Sequence, residues 1–511
     1  MVARPRAAWR GWFEALRAAG RAITVNAAGA ALWCAVESRR LVEIMLPAAA
    51  FDPDLQPPPG SADTDDPGVA AALALRGHLE LCGPVTAGEL ATATSLPEGL
   101  VASGMARLEA EGFAVRGGFD PTLEGEQWCS RRLLMRIHSH TRERLRREIA
   151  PVSPRDLMRF LLRWQGVSAG TQREGRAGVA AAIAQLQGTE APAGAWEAEI
   201  LPRRVAGYRP AWLDDLCLSG SVAWGRLKVR EADPEASLRS RPFPSRATPV
   251  TLVGRADLPW LLQAVRGGAR PAEPESGATR EVVAVLREHG ALFTGDVVAL
   301  SRRLPTEVTA GLWDAVGRGL VTADGFAAVR SLLAGHRHAL PGHGRGLRRG
   351  TAGIAAGEGR WSLLPEAAPV ADRDALAEAV AEQLLARWGV VFHDLLARES
   401  LALPWREVLW ALRRMEARGT ARGGRFVNGF AGEQYALPEA VDMLRSVRRS
   451  SPEGEVVRLS AADPLNLAGI IVPGPRVPAL HTHTVSFRDG IPEVDDVSVV
   501  AATGDRVTAA V

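Results

Sequence analysis

Arginines set at helical spacing are the residues of this chain best suited to chemistry, and that chemistry is phosphate recognition. Arg406, Arg413, Arg414 and Arg418 share a stretch whose apolar residues Val408, Leu412 and Met415 recur at helical intervals, and Arg422 and Arg425 follow directly. A planar guanidinium grips phosphate oxygens through two N–H groups and also stacks on bases. The number of phosphates neutralised sets non-specific affinity and its salt dependence. A second concentration lies on residues 127–149, read as one long helix bearing Arg131, Arg132, Arg136, Arg142, Arg144, Arg146 and Arg147. Glu143 and Glu148 interleave there, so a solvated face laced by local ion pairs competes with backbone contacts through Arg132 and Arg136. No comparable set exists for a metal. Cys34, Cys82, Cys129 and Cys217 are far apart, His138 and His140 read as phosphate-contacting or surface residues, and His481 and His483 lack a third ligand, so no metal, cofactor or disulfide framework is expected. Asp214-Asp215 and Asp495-Asp496 are adjacent pairs that point different ways, which makes them poor acid–base couples.

Such side chains converge on a ligand only if regular elements hold them, and three stretches repeat one pattern: Gly83 to Gly118, Gly290 to Gly325 and Gly389 to Gly424. Each carries a Gly, a short apolar step, a turn, a helix-length stretch and then Leu-Pro, at Leu96-Pro97, Leu304-Pro305 and Leu403-Pro404. Proline suits the first position of the helix that follows, where its missing N–H costs nothing. Gly112, Gly319 and Gly419 then stand where a left-handed residue stops that helix. A Gly- and Arg-rich hairpin, Phe113 to Phe119 in the first repeat, completes a winged helix. Recurrence on this scale fixes the architecture more firmly than local propensity. The second helices differ in charge: Glu98, Glu109 and Glu111 against Arg107 in the first, near neutrality in the second, and the arginine set in the third. The third repeat is therefore the candidate for duplex contact, and the first reads as structural.

The predicted fold class is α+β, a tandem array of winged-helix domains with a small C-terminal β-barrel-like module. The 511 residues are 47 % apolar, with a net charge of +3 and Lys228 as the sole lysine, so clustering of arginine matters more than total charge. Residues 1–68 form an N-terminal segment, with strand-like runs Ala31 to Val36 and Leu41 to Leu46, ending in a Pro- and Asp-rich loop. Residues 69–150 hold the first winged helix and the arginine helix, and 151–275 a distinct helical block opening at Ser153-Pro154. Residues 276–335 hold the second repeat, 336–373 a basic linker, 374–450 the third repeat and 451–511 a β-rich module. In that module Val456 to Leu459, Gly469 to Val472, Thr484 to Phe487 and Val497 to Ala501 read as strands, with a turn at Arg488-Asp489-Gly490. No apolar run reaches the ~18–20 residues of a membrane span, and no secretory signal is evident. A cytoplasmic protein is expected.

Several segments resemble a known family. RGHLELCGPVTAGELA (Arg76 to Ala91), LEAEGFAVRGGF (Leu108 to Phe119), EQWCSRRLLMRIHSHTRERLRREIAPVS (Glu126 to Ser153), RFLLRWQGV (Arg159 to Val167), WLDDLCLSGSVAWGRL (Trp212 to Leu227) and LSAADPLNLAGIIVPGPRVPA (Leu459 to Ala479) occur in its order. Together they look like the C-terminal region of the large helicase-related, or Lhr, proteins of helicase superfamily 2. The resemblance implies winged helices in series that accompany an ATP-driven DNA repair motor, and hence DNA, single-stranded or duplex, and a helicase core in cis or in trans as partners; the fourteen tryptophans supply anchors for a homo-oligomer. The chain departs from the family in lacking a Gly-x4-Gly-Lys-Ser/Thr loop, since Lys228 sits in Gly225-Arg226-Leu227-Lys228. ATP hydrolysis by that route is not expected, and the chain reads as the accessory part of a larger polypeptide or the companion of a separate motor.

The central block is also similar to winged-helix DNA glycosylases that excise alkylated purines. Their Gln, apolar, Asp-or-Gln motif is matched imperfectly by Leu186-Gln187-Gly188-Thr189-Glu190. Base excision needs a carboxylate to stabilise a developing sugar cation and position water, and a pocket for the extruded base. The resemblance thus nominates Glu190 as that carboxylate, with Gln187 orienting the water; a surface Glu190 on an inactive block is the competing reading.

Overall fold

Four times along the chain a helix, a short strand and two further helices lead into a two-stranded ribbon, one repetition more than the Leu-Pro pattern predicts. The structure is a computed structural model describing residues 2–3, 7–27, 29–62, 64–147, 150–229, 246–335, 359–396, 399–401 and 403–493. The basic stretch His336 to Gly350, the run Val497 to Ala501, Asp495-Asp496 and the side chains of Arg142, Arg146 and Arg147 lie outside what it describes. The chain divides into two compact units, Met1–Leu145 and Arg146–Val511.

In the first unit β1 (Val2–Ala3), β2 (Ala22–Ala27), β3 (Ala30–Ala35) and β4 (Ala50–Asp52) form an antiparallel sheet in the order β1-β3-β2-β4. Helix α1 (Arg10–Ala18) lays Phe13 flat on Trp33, ring centroids 4.4 Å apart. Leu41 to Leu46, expected as a strand, belongs instead to helix α2 (Arg39–Met45). Its buried residues Leu41, Val42 and Met45 fall at helical intervals, which a short apolar run does not distinguish from a strand. The Pro- and Asp-rich loop is also less bare than expected: its first residues pair with β2, and Arg39 covers Phe51.

The first winged helix follows as α3 (Pro67–Leu79), β5 (Val85–Thr86), α4 (Ala87–Thr94), α5 (Glu98–Ala110), β6 (Ala114–Gly117) and β7 (Gln127–Ser130). Asp66 caps α3, and Thr86 with Glu89 forms a capping box on α4. Residues 127–130, expected as the start of the arginine helix, are the central strand of this sheet, because all four are buried. Helix α6 (Arg131–Arg147) starts only after them.

The second unit opens with α7 (Pro154–Trp164), capped by Ser153, whose Oγ accepts the Asp156 N–H at 3.1 Å. A winged helix the Leu-Pro pattern does not find follows. Strand β8 (Arg173–Glu174) leads into α8 (Gly175–Leu186), β9 (Ala191–Pro192) and a helical turn made of α9 (Ala193–Ala195), a π-helical stretch (Trp196–Ile200) and α10 (Leu201–Arg204). Then come β10 (Val205–Ala206), α11 (Pro210–Leu218), β11 (Val222–Gly225) and β12 (Pro249–Gly254). After α12 (Leu258–Arg266) the next winged helix runs through α13 (Gly277–His289), α14 (Thr294–Ser301), α15 (Pro305–Gly317), β13 (Val321–Ala323), α16 (Ala327–Gly335) and β14 (Trp361–Leu363). The last comprises α17 (Arg373–Trp388), β15 (Val390–Val391), α18 (His393–Leu396), α19 (Trp405–Arg418), β16 (Arg422–Gly424) and β17 (Gln434–Ala436).

In each winged helix the short strand before the second helix pairs with the last strand of the ribbon: β5 with β7, β9 with β12, the bridge Leu292–Trp361, and β15 with β17. That pairing clamps the ribbon against the helices. Beyond α20 (Pro438–Arg449), β18 (Val456–Ser460), β19 (Thr484–Arg488) and β20 (Ile491–Pro492) form an open three-stranded sheet, with Asp489 and Gly490 turning the hairpin at positive φ. Gly469 to Val472, expected as a strand, is a turn closed by an isolated bridge between Ala468 and Val472. Among the described residues the module closes no barrel.

Candidate nucleic-acid interface

Helix α19 is held against α17 by Val408, Ala411, Leu412 and Met415, all buried. Its register matches the other repeats. Val408, Ala411 and Leu412 stand where α5 has Val101, Gly104 and Met105 and α15 has Val308, Gly311 and Leu312. The helix stops at Gly419, whose φ of 80° is open to glycine at little cost. The ribbon then folds back, and Gln434 fixes it. The buried Gln434 side chain accepts the N–H groups of Phe426 and Val427 at 2.8 Å each and donates to the Val427 carbonyl at 2.9 Å. Gln127 does the same in the first winged helix, accepting from Phe119 and Asp120 at 2.8 Å each and donating to Asp120 at 2.7 Å. Both stand in a Gly-Glu-Gln step (Gly125 to Gln127, Gly432 to Gln434), a recurrence the repeat pattern left unused.

The structure sets the third-repeat arginines along α19 and its ribbon but does not leave them equally free. Arg413 is bound bidentately to Glu433 of the ribbon, at 2.9 and 3.0 Å. Arg414 reaches Asp374 at 3.2 Å, and Arg418 reaches Glu378 at 2.5 Å, both acids on α17. Arg406, Arg422 and Arg425 have no ion pair among the described residues; Arg406 and Arg425 are exposed, and Arg422 is half-buried. Exposed pairs of this kind are worth about 0–1 kcal/mol, so Glu433 and Glu378 hold these guanidinium groups only weakly. These acids are the partners that arginine spacing alone does not reveal.

In the other unit, exposed Arg132 and Arg136 border a shallow groove of about 550 Å³ with Gly112, Phe113, Arg131, Met135 and Ser139. Arg131 donates to the Gly112 carbonyl at 2.9 Å and so anchors the helix beside the ribbon. On the recognition helix of that module Arg107 is matched by Glu111 at 3.5 Å.

Glu190 and Gln187 lie at the end of α8 and are set in different surroundings. Glu190 Oε1 accepts the Lys228 N–H at 2.8 Å, and Arg226 stands 3.9 Å from its other oxygen. Burial pushes its carboxyl above the usual range, with the Lys228 hydrogen bond and the Arg226 charge opposing. Gln187 is buried and donates to Asp257 at 2.9 Å and Gln383 at 3.0 Å while accepting the Gly254 N–H at 3.0 Å. Its amide hydrogens are thus both engaged within the protein.

Among the described residues no helix is long and apolar enough to cross a membrane. Two family profiles, described as the third and fourth winged-helix domains of large helicase-related protein, match residues 152–239 and 370–456. A Mycolicibacterium smegmatis protein named Lhr helicase/probable uracil glycosylase is 30 % identical over 482 residues, covering 90 % of this chain and 30 % of the relative. An Escherichia coli protein named Lhr helicase/uracil glycosylase is 28 % identical over 438 residues, covering 77 % and 26 %. The chain therefore spans under a third of the length of these relatives. The DNA glycosylase AlkZ of Streptomyces sahachiroi superposes with a TM-score of 0.38 and 13 % identity over 67 % of this chain and 87 % of that one.

Proposed function

With a chain related to the C-terminal region of the large helicase-related proteins as the premise, we propose that it is the nucleic-acid-binding and self-associating part of a DNA repair helicase assembly. It carries no phosphate loop of its own, so it acts on DNA beside a helicase core, in cis or in trans. The observation that supports this most is the exposed arginine edge of α19 and its ribbon, with Arg406 and Arg425 in no ion pair among the described residues and Arg413 paired with the surface carboxylate of Glu433. A binding titration tests it. Arg413→Ala with Arg414→Ala weakens the complex and makes the plot of log K against log salt shallower, by about 0.7–0.9 for each phosphate that is no longer neutralised. Glu433→Gln, which frees Arg413, tightens it. Affinity and slope unaffected by either would defeat the reading.

A second reading rests on the shielded Glu190 carboxylate and on the glycosylase in the relatives' names. Here Glu190 serves a base-excising site in the central winged helix, with Gln187 as the adjoining polar group. Release of base from uracil- or alkylpurine-containing oligonucleotides, lost in Glu190→Gln, supports it; no release from any lesion removes it.

A further inference from the structure

The outward stripe of α19 consists of Arg406, Trp410, Arg413 and Ala417, spaced four, three and four residues apart, so that they lie on one helix face. Trp410 is 58 % exposed at its centre. In register, α5 carries Gly99, Ser103 and Ala106 there, and α15 opens the same face with Thr306 and Ala310. At the Trp410 position the other two helices thus present the small side chains Ser103 and Ala310, and only the arginine-rich α19 presents an indole. A single exposed tryptophan between two guanidinium groups is not explained by packing, because the buried face of α19 is already complete.

We propose that Trp410 is a stacking platform for an unpaired base, making this face a binder of single-stranded nucleic acid rather than a reader of duplex grooves. The proposal rests on the nucleic-acid-binding function given above and names its substrate class. Groove reading uses side chains that exchange hydrogen bonds with base edges. An indole face has none to offer there, but it stacks on any unstacked base while flanking cations hold the backbone. The charge pattern fits: Arg406 precedes Trp410 by one turn, Arg413 follows by one, and Arg425 adds a further cation from the ribbon. The acid nearest in sequence, Glu407, is engaged by Arg373 at 2.6 Å.

The test uses the full chain with three labelled probes: a single-stranded oligothymidine, the same strand with abasic sites, and a blunt duplex. Trp410→Ala is expected to weaken oligothymidine binding roughly five- to a hundredfold, the range for one stacked base, with the salt slope unchanged. Trp410→Phe restores most of the loss and Trp410→Leu does not, while Trp410→Ala shifts the abasic strand and duplex less than about twofold. An unchanged oligothymidine affinity, an equal loss on all three probes, or loss of self-association in place of strand binding overturns the proposal. Its failure is separable from that of the underlying reading. If Arg413→Ala with Arg414→Ala weakens binding and Trp410→Ala does not, only stacking falls; if the unaltered chain binds no probe, both fall.

Discussion

At the scale of single residues, the deepest charge in the second unit is Arg204, fully buried and bound by both oxygens of Asp463 at 2.6 and 2.9 Å. It also donates to Gln165 at 2.8 Å, so one guanidinium joins the end of α7, α10 and the turn after β18. Removing one partner of a buried pair leaves an uncompensated charge. Asp463→Ala should therefore lower the unfolding free energy by about 3–5 kcal/mol in urea denaturation, and Asp463→Asn, which keeps one of the two acceptors, by less. Equal stability of Asp463→Ala and the parent would show that the pair holds nothing in place. Glu190 makes a prediction of opposite sense. Its folded carboxyl titrates above the unfolded one, so between the two values the folded chain holds a proton the unfolded chain has released. Stability from this group is full below the ordinary carboxylate range and is lost as pH rises through the folded value. Glu190→Gln should be the more stable protein at neutral pH, with the advantage gone near pH ~4. A constant difference across that window would refute it. Residue types are legible in sequence here, but partners are not: arginine spacing locates Arg413 and Arg418, while Glu433 and Glu378, distant along the chain, decide how tightly each is held.

At the scale of elements, helix stops are legible where glycine marks them, as at Gly112 and Gly419, which both take positive φ. No neighbour lies within 4 Å of a Cβ built on Gly419. Gly419→Ala should thus cost only the left-handed backbone penalty, about 1–2 kcal/mol, seen as a lower Tm. Arg302 closes α14 at φ 53° without being glycine, so Arg302→Gly should raise stability by about 1 kcal/mol. A fall in Tm on that change would contradict the account. Two segments take a structure their local pattern conceals. Leu41 to Leu46 is too short for its period to separate helix from strand, and Gln127 to Ser130 merges with the helix after it because the apolar and arginine-rich continuation looks seamless. The Gly-Glu-Gln step resolves the second, since it marks the last ribbon strand in two repeats.

At the scale of the whole molecule, three of four winged helices are legible because Leu-Pro and a terminal glycine bracket their recognition helices at nearly constant separation. The central one escapes that pattern. Its helix α11 has 9 residues against 13, 13 and 14 in α5, α15 and α19. Family resemblance supplies a winged helix where periodicity does not. Four similar frames then carry unlike surfaces: acidic and small on α5, arginine and tryptophan on α19. The frame is shared because its buried positions repeat, and the interface is local because its exposed positions do not. The central claim, that nucleic acid lies on α19 and its ribbon, is tested most directly by photocrosslinking a bound oligonucleotide and sequencing the attached peptides. The account predicts attachment within residues 405–426, abolished in Arg406→Ala with Arg425→Ala; attachment confined to other winged helices, or undiminished in that variant, would contradict it.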